Sequence, residues 1–210
     1  MEFISIVDII GTIAFAMSGA LRAIEKEMDY YGIAVFGITT AVAGGTIRDI
    51  LINKDLPVSL ANPTYLIISI LSAFLVILFY KMIIRFNQIL NIFDAVGLAA
   101  FTAIGSEVAV NNGYTQPFII IVLAVMTGTG GGTLRDLFAN EIPYVFHKEV
   151  YAVAAVIGAV FFIITYQTVG NKVALYTAFI VTFLIRLFCM KNDIHLKKVS
   201  SGKRKQKYKR

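Results

Sequence analysis

Two short motifs place glycines, a threonine and a charged pair inside long apolar stretches of the chain. The first runs from Gly44 and Gly45 through Thr46 to Arg48 and Asp49. The second follows 87 residues later and contains Gly130, Gly131, Gly132, Thr133, Arg135 and Asp136. Glycine lets a helix kink, unwind or admit a close neighbour, and exposed carbonyls or half-helix ends bind ions and charged solute groups. The motifs therefore predict binding of a charged species at mid-membrane depth, with close helix packing as the alternative.

Charged side chains accompany both motifs about two turns from the end of each apolar stretch, where a charge needs a partner, water or a route to the surface. Adjacent residues point in different directions on a helix, so neither arginine is expected to be neutralised by the aspartate that follows it. Asp8 and Asp94 lie at the matching depths. We predict two symmetry-related pairs, Arg48 with Asp8 and Arg135 with Asp94. In the alternative, these residues mark interfacial helix ends.

The motifs belong to a longer duplication. A stripe of four residues, spaced by three, four and four, recurs 86 positions later: Asp8, Gly11, Phe15 and Gly19 return as Asp94, Gly97, Phe101 and Gly105. Pro57 and Tyr65 return as Pro143 and Tyr151, again 86 apart. The repeat therefore covers roughly residues 5–167.

The elements that must position these residues are membrane helices. The chain is 58% hydrophobic and 15% charged, which is rare in soluble domains. Seven segments are long enough to cross about 30 Å of hydrocarbon as helices. They lie near residues 4–21, 30–52, 61–80, 89–110, 117–139, 148–167 and 172–190. The predicted fold class is an all-α multi-pass membrane protein, with two inverted three-helix repeats followed by a seventh helix.

Basic residues predict the orientation. The joints on one side hold Arg22, Lys26, Lys81, Arg85 and Lys148 together with the tail, whereas the other side holds only Lys54 and Lys172. Lysine and arginine accumulate on the cytoplasmic side, so the C-terminus is predicted inside and the N-terminus outside the cell membrane. Because each repeat has three segments, the second copy enters the membrane upside down.

The sequence divides into four parts. We assign residues 3–82 to the first repeat, 88–168 to the second, 172–190 to the seventh helix and 191–210 to a basic cytoplasmic tail. Nine of the 19 lysines and arginines lie in that tail. After seven membrane segments, its expected partners are anionic lipid headgroups and not nucleic acid.

Several chemistries find no support in the sequence. His147 and His195 have no metal-ligand companions at helical spacing, and Cys189 is the single cysteine. There is no Walker A sequence for ATP hydrolysis. Six hydroxyls are candidates to line a polar path, although threonine also bonds its own helix carbonyls: Ser18, Thr39, Thr40, Thr127, Thr129 and Thr133. We predict no enzyme, no metal site and no cofactor.

The doubled Gly-Gly-Thr-(Ile/Leu)-Arg-Asp motif in this topology resembles the prokaryotic members of the trimeric intracellular cation channel (TRIC) family. The resemblance implies a homotrimer in which each subunit conducts potassium, and also sodium, around kinked second and fifth membrane helices. The family's functional glycines correspond to Gly44 and Gly45, and to Gly130, Gly131 and Gly132. The first copy reads Ala43-Gly44-Gly45 and so departs from the triple glycine of the second. This difference allows a tighter break in the second helix.

Two alternatives remain open at the level of sequence. The same domain is placed among glycine transporters, and a carrier for a small zwitterion also uses inverted repeats and half-helices. A channel requires only a continuous wet path with weak binding, whereas a carrier must alternate its access. A membrane scaffold requires no transport, but charges at matching positions in both repeats argue against it.

Overall fold

A computed structural model describes residues 6–54, 56–86, 88–147, 150–192 and 194. Within these residues every regular element is a helix, and seven of them are long and apolar enough to cross a membrane. The long helices are α1 (Ile6–Glu25), α2 (Tyr30–Leu51), α4 (Thr64–Ile83), α5 (Ile89–Asn111), α6 (Pro117–Phe138), α8 (Val150–Thr168) and α9 (Asn171–Lys191). The predicted fold class and the seven segments are confirmed.

The joints after α2 and α6 are built alike. Asn53 and Asn140, 87 residues apart, have φ of 58° and 56°, and asparagine tolerates this left-handed conformation better than most residues. Each asparagine turns the chain back over the helix end that precedes it. A short helix follows in each joint, α3 (Val58–Ala61) and α7 (Tyr144–His147). The sequence predicted these stretches as plain polar joints, and a single helical turn is too short to leave a periodic signal.

Burial separates central from peripheral helices. The apolar windows of α5 and α1 are 72% and 61% buried within the protein, whereas that of α4 is 28% buried. The outward side chains of α4, such as Phe74 and Leu78, are apolar and exposed, as expected of a surface that faces lipid. The unrepeated α9 packs against α8 and α5. The pair α1 and α5 therefore supports α2 and α6, which carry the motifs.

Helices α2 and α6 cross at the motif glycines. A Cβ atom on Gly44 would overlap the main-chain carbonyl oxygen of Thr127, and one on Gly131 would overlap that of Thr40. Each contact is the other shifted by 87 residues, as an inverted repeat requires. Both helices are continuous through these glycines. Of the three uses of glycine considered above, close approach is the one observed, and the helices are not unwound here.

Two buried arginine clusters as the candidate functional site

Two clusters surround the motif arginines, and we name them inner and outer after the sides of the membrane that the sequence predicts for them. The inner cluster surrounds Arg135 near the end of α6. Its Nη1 donates to Asp94 Oδ1 at 2.6 Å and to Ser18 Oγ at 2.5 Å. Its Nε donates to Asp136 Oδ1 at 2.9 Å. The side chains of Arg135, Asp94 and Asp136 have no exposed area. This fully buried ion-pair network joins α1, α5 and α6, and breaking such a network leaves a buried charge uncompensated.

Two tyrosines complete the inner cluster. Tyr151 of α8 donates its hydroxyl to Asp94 Oδ1 at 3.2 Å. The Tyr144 ring lies beneath the Arg135 guanidinium, 5.2 Å from its central carbon. The Tyr144 N–H donates to Asp136 Oδ2 at 3.0 Å, which ties α7 to the end of α6. Gly132 makes room for this arrangement, because a Cβ there would lie 2.6 Å from the Tyr151 hydroxyl.

The outer cluster repeats the same design around Arg48. Its Nε and Nη2 both donate to Asp49 Oδ1, at 2.9 and 2.8 Å. The Val58 N–H donates to Asp49 Oδ2 at 2.8 Å, as the Tyr144 N–H does to Asp136. Tyr65 donates its hydroxyl to Asp8 Oδ2 at 2.5 Å. Each of these contacts has its repeat partner 86 or 87 residues later in the inner cluster.

A cavity of about 30 Å³ lies at the outer cluster. Its lining includes Asp8, Gly45, Arg48, Asp49, Ser59 and Tyr65. A water molecule needs about 10–15 Å³ of such volume and at least two polar partners. The outer cluster can therefore hold one or two waters between two carboxylates and an arginine.

These contacts decide two of the sequence predictions. The ion pair between Arg135 and Asp94 is present. The expectation that each arginine fails to neutralise its neighbouring aspartate was wrong, because both arginines fold back onto the next residue. The rule for adjacent residues describes Cβ directions, and the long arginine side chain bends across them once burial removes water as a competitor. The pairing of Arg48 with Asp8 stays a prediction, although both line the same cavity.

The remaining motif residues lie along the α2–α6 crossing. Gly130 faces Gly44, since a Cβ on Gly130 would lie 3.0 Å from the Gly44 Cα. A Cβ on Gly45 would meet nothing closer than an Arg48 nitrogen at 3.7 Å. Thr46 lies 2.9 Å from Ser59 of α3 between their hydroxyl oxygens. Thr133 donates to the carbonyl of Thr129, one turn earlier.

The hydroxyl candidates divide into two groups. Five threonines each donate to the carbonyl four residues earlier in their own helix: Thr39, Thr40, Thr127, Thr129 and Thr133. This is the alternative to lining a polar path that the sequence left open. Ser18 instead accepts from Arg135.

Sequence reasoning missed four side chains of these clusters. Tyr65 and Tyr151 were noticed as repeat partners but not as hydrogen-bond donors to the aspartates, and Tyr144 and Arg186 were not singled out. Arg186 lies on α9, with its guanidinium carbon 4.9 Å from the centre of the Tyr151 ring. Arg186 could have been found from the sequence, because a charge inside an apolar span marks a functional position.

Most of the basic tail, His195 and residues 148–149 lie outside the described residues. Within the described part of the chain, no three His, Cys, Asp or Glu residues form a metal-binding group.

The fold and its paired clusters define a multi-pass helical membrane protein with inverted repeats. A family model described as glycine transporter matches the chain twice, at residues 5–81 and 91–167. The inner membrane protein YadS of Escherichia coli strain K12 is 39% identical over 90% of this chain and 92% of its own length. The membrane protein YvgT of Bacillus subtilis is 40% identical over 87% and 89%.

Solved structures of membrane proteins have the same fold as this chain. A TRIC channel orthologue from Rhodobacter sphaeroides superposes with a TM-score of 0.84 at 33% identity, over 90% of this chain and 97% of its own. A prokaryotic TRIC channel solved in 0.5 M KCl gives 0.85 at 36% identity, over 90% and 96%. The chain therefore belongs to the prokaryotic TRIC family of multi-pass membrane proteins. This membership agrees with the prediction that the chain is not an enzyme.

Proposed function

We propose that this protein is a channel for monovalent cations, potassium and also sodium, with a conduction path through each subunit of a homotrimer. The observation that carries the proposal is the outer cavity, where Asp8 and Asp49 face a single arginine. Two carboxylates against one guanidinium leave a formal charge of −1 around this small, partly open cavity. Such a space attracts cations and repels anions.

The proposed path follows the α2–α6 crossing from the outer cavity to the inner cluster. Arg48 lowers the attraction for cations but does not abolish it, because its guanidinium is paired with Asp49 at 2.8 Å and one positive charge does not balance both carboxylates of the cavity. Gly45 and Gly130 are partly exposed beside the crossing, together with Thr46 and Thr133. Opening the inner end requires movement of Arg135, whose side chain is fully buried. A kink of α2 and α6 at the glycines is the proposed source of that movement.

The trimeric state is supported by the related structures, which are described as trimeric intracellular cation channels. Chemical crosslinking of the protein in membranes is expected to give a ladder that ends at three subunits. A ladder that ends at two subunits, or monomers alone at saturating crosslinker, contradicts the trimer.

The proposed orientation has the N-terminus outside and the C-terminus in the cytoplasm. In a Cys189→Ser background, Asn112→Cys places a thiol in the predicted outer joint and Arg85→Cys places one in the predicted inner joint. Both positions are exposed. A membrane-impermeant maleimide is expected to label intact cells at position 112 and to label position 85 only after lysis. The reverse pattern inverts the assignment.

Recording from the purified protein in planar bilayers tests the channel proposal. Discrete openings across a KCl gradient that reverse near the potassium equilibrium potential support it. Asp8→Asn is expected to lower potassium conductance about two- to threefold in dilute salt and less in concentrated salt, because salt screens the lost charge. Glu27→Gln is the matched control, since it removes an exposed carboxylate.

A glycine carrier is the second candidate, because the matching family model carries that description. A carrier moves solute without unitary currents, and its uptake saturates. Saturable glycine uptake into liposomes by a protein that is electrically silent in bilayers supports the carrier and contradicts the channel. Discrete channel openings without glycine uptake support the channel and contradict the carrier.

A further inference from the structure

The seventh helix brings a second arginine to the inner cluster. Arg186 of α9 is 4% exposed, and its guanidinium carbon lies 4.9 Å from the centre of the Tyr151 ring. Among the described residues, no carboxylate lies within ion-pair distance of Arg186, and its Nε is buried without an acceptor. A buried charge held mainly by the face of an aromatic ring is costly in a membrane. Such a cost points to a functional role.

Tyr151 connects Arg186 to the ion pair. The guanidinium lies over the ring, while the hydroxyl of the same ring donates to Asp94 Oδ1 at 3.2 Å. Asp94 Oδ2 is buried without a hydrogen-bond partner among the described residues. The path from the Arg186 guanidinium through the Tyr151 ring to the Asp94 carboxylate is on the order of 10 Å long, which is similar to the Debye length. Buried charges at this separation are screened less than exposed ones. Arg186 and Asp94 therefore interact electrostatically.

The outer cluster has no counterpart of Arg186. Helix α9 follows the duplicated part of the chain and has no repeat copy, and no cation lies over the Tyr65 ring within the described residues. Formal charges then differ between the two ends. The outer cluster sets Arg48 against Asp8 and Asp49, which gives −1. The inner cluster sets two arginines against two aspartates, which gives zero.

We propose that Arg186, acting through Tyr151, makes the two ends of the cation path electrically unequal and so sets the direction in which current flows more easily. The proposal rests on the channel function and on the orientation proposed above. A cation approaching from outside meets a negative cluster, whereas one approaching from inside meets a neutral cluster. A negative entrance raises the local cation concentration and the entry rate. Inward current therefore exceeds outward current at equal and opposite voltages.

Three variants of Arg186 test the charge separately from the fold. Arg186→Gln removes the charge and keeps polarity. Arg186→Met also removes it and fills the space with an apolar chain, a replacement that buried charges often tolerate. Arg186→Lys keeps the charge. The matched control is Arg85→Gln, which removes an exposed cation from the predicted inner side.

Currents are measured in symmetrical KCl, in patches excised from cells that express the full chain, where every channel faces the same way. Both neutral variants are expected to raise outward relative to inward current about threefold in dilute salt and less in concentrated salt. Arg186→Lys and Arg85→Gln are expected to keep the wild-type ratio. Size-exclusion profiles report whether each variant folds.

Different failures separate the two proposals. A wild-type protein that conducts, with folded neutral variants that keep its current ratio, overturns the role of Arg186 and leaves the channel standing. A silent wild-type protein with saturable glycine uptake overturns the channel and the role of Arg186 with it. Loss of folding in both neutral variants also overturns the role, because it assigns Arg186 to structure.

Discussion

Gly44 packs with its Cα directly against the main-chain carbonyl oxygen of Thr127, at the point where α2 crosses α6. The repeat-related contact joins Gly131 to Thr40. Main chains approach this closely only where a side chain is absent, and small residues commonly make such crossings in membranes. The two contacts hold the motif helices together at their centre, between the two arginine clusters.

Gly44→Ala is expected to destabilise the protein by about 1–3 kcal/mol, the usual cost of overpacking, because its methyl group meets a rigid carbonyl. Gly45→Ala is the matched control, since its methyl meets nothing closer than 3.7 Å. Thermal unfolding of the detergent-solubilised proteins measures both. Equal melting temperatures for the two variants would show that the crossing yields to a methyl group.

Asp94→Asn is expected to cost about 3–5 kcal/mol, since it breaks a fully buried ion pair with Arg135. The repeat-related change Asp8→Asn is expected to cost less than about 1 kcal/mol, because the asparagine oxygen still accepts from Tyr65 and the cavity admits water. Denaturant unfolding of both variants compares the clusters. Similar losses at the two positions would contradict the contrast between a fully buried ion pair in the inner cluster and a cavity-lining carboxylate in the outer cluster.

Arg48→Gln is expected to raise potassium conductance about two- to threefold in dilute salt, because it removes the positive charge that opposes Asp8 and Asp49. Arg48→Lys keeps the charge and is expected to keep the wild-type conductance. It is also expected to lose about 1 kcal/mol of stability, since lysine cannot place two donors on Asp49 as arginine does. Unitary currents and melting temperatures measure the two effects. A lower conductance in the glutamine variant would show that Arg48 does not oppose cation entry.

Glu141 gives a pH dependence at the surface beside the inner cluster. Burial acts to raise its pKa, but the hydrogen bond from Lys26 and the charge of Arg22 outweigh burial and hold the pKa below its ordinary value of 4.5. A lowered folded-state pKa contributes stability above pH 4.5, and this stability is lost as the pH falls through the folded-state pKa. The contribution is less than about 1 kcal/mol, because the pair is partly exposed.

Glu141→Gln is therefore expected to be less stable than wild type at pH 7 and equal to it at the acid end. Melting temperatures between pH 7 and pH 3 measure the convergence. Glu27→Gln, in an exposed position, serves as the control and is expected to follow the wild-type curve. A constant gap between wild type and Glu141→Gln over the whole range contradicts the ion-pair explanation.

Repetition made much of the site predictable. Residues that recur 86 or 87 positions apart occupy equivalent depths in the two copies, and the matching depths of Asp94 and Arg135 predicted their ion pair. The same logic was available for Tyr65 and Tyr151, whose hydroxyls bind the aspartates of the two clusters. Arg186 has no repeat copy, so the offset gave no information about it.

The sequence by itself determined the seven membrane helices and their inverted duplication, because hydropathy and periodic repetition are local properties of the chain. Only the tertiary structure decided which donor forms a hydrogen bond with each carboxylate, and how the surroundings of the two similar clusters differ. Arg48 lies beside a small cavity, whereas Arg135 is fully buried and donates to Ser18 and Asp94. Such differences depend on which helices surround each side chain, and packing between distant segments leaves no periodic signal in the sequence.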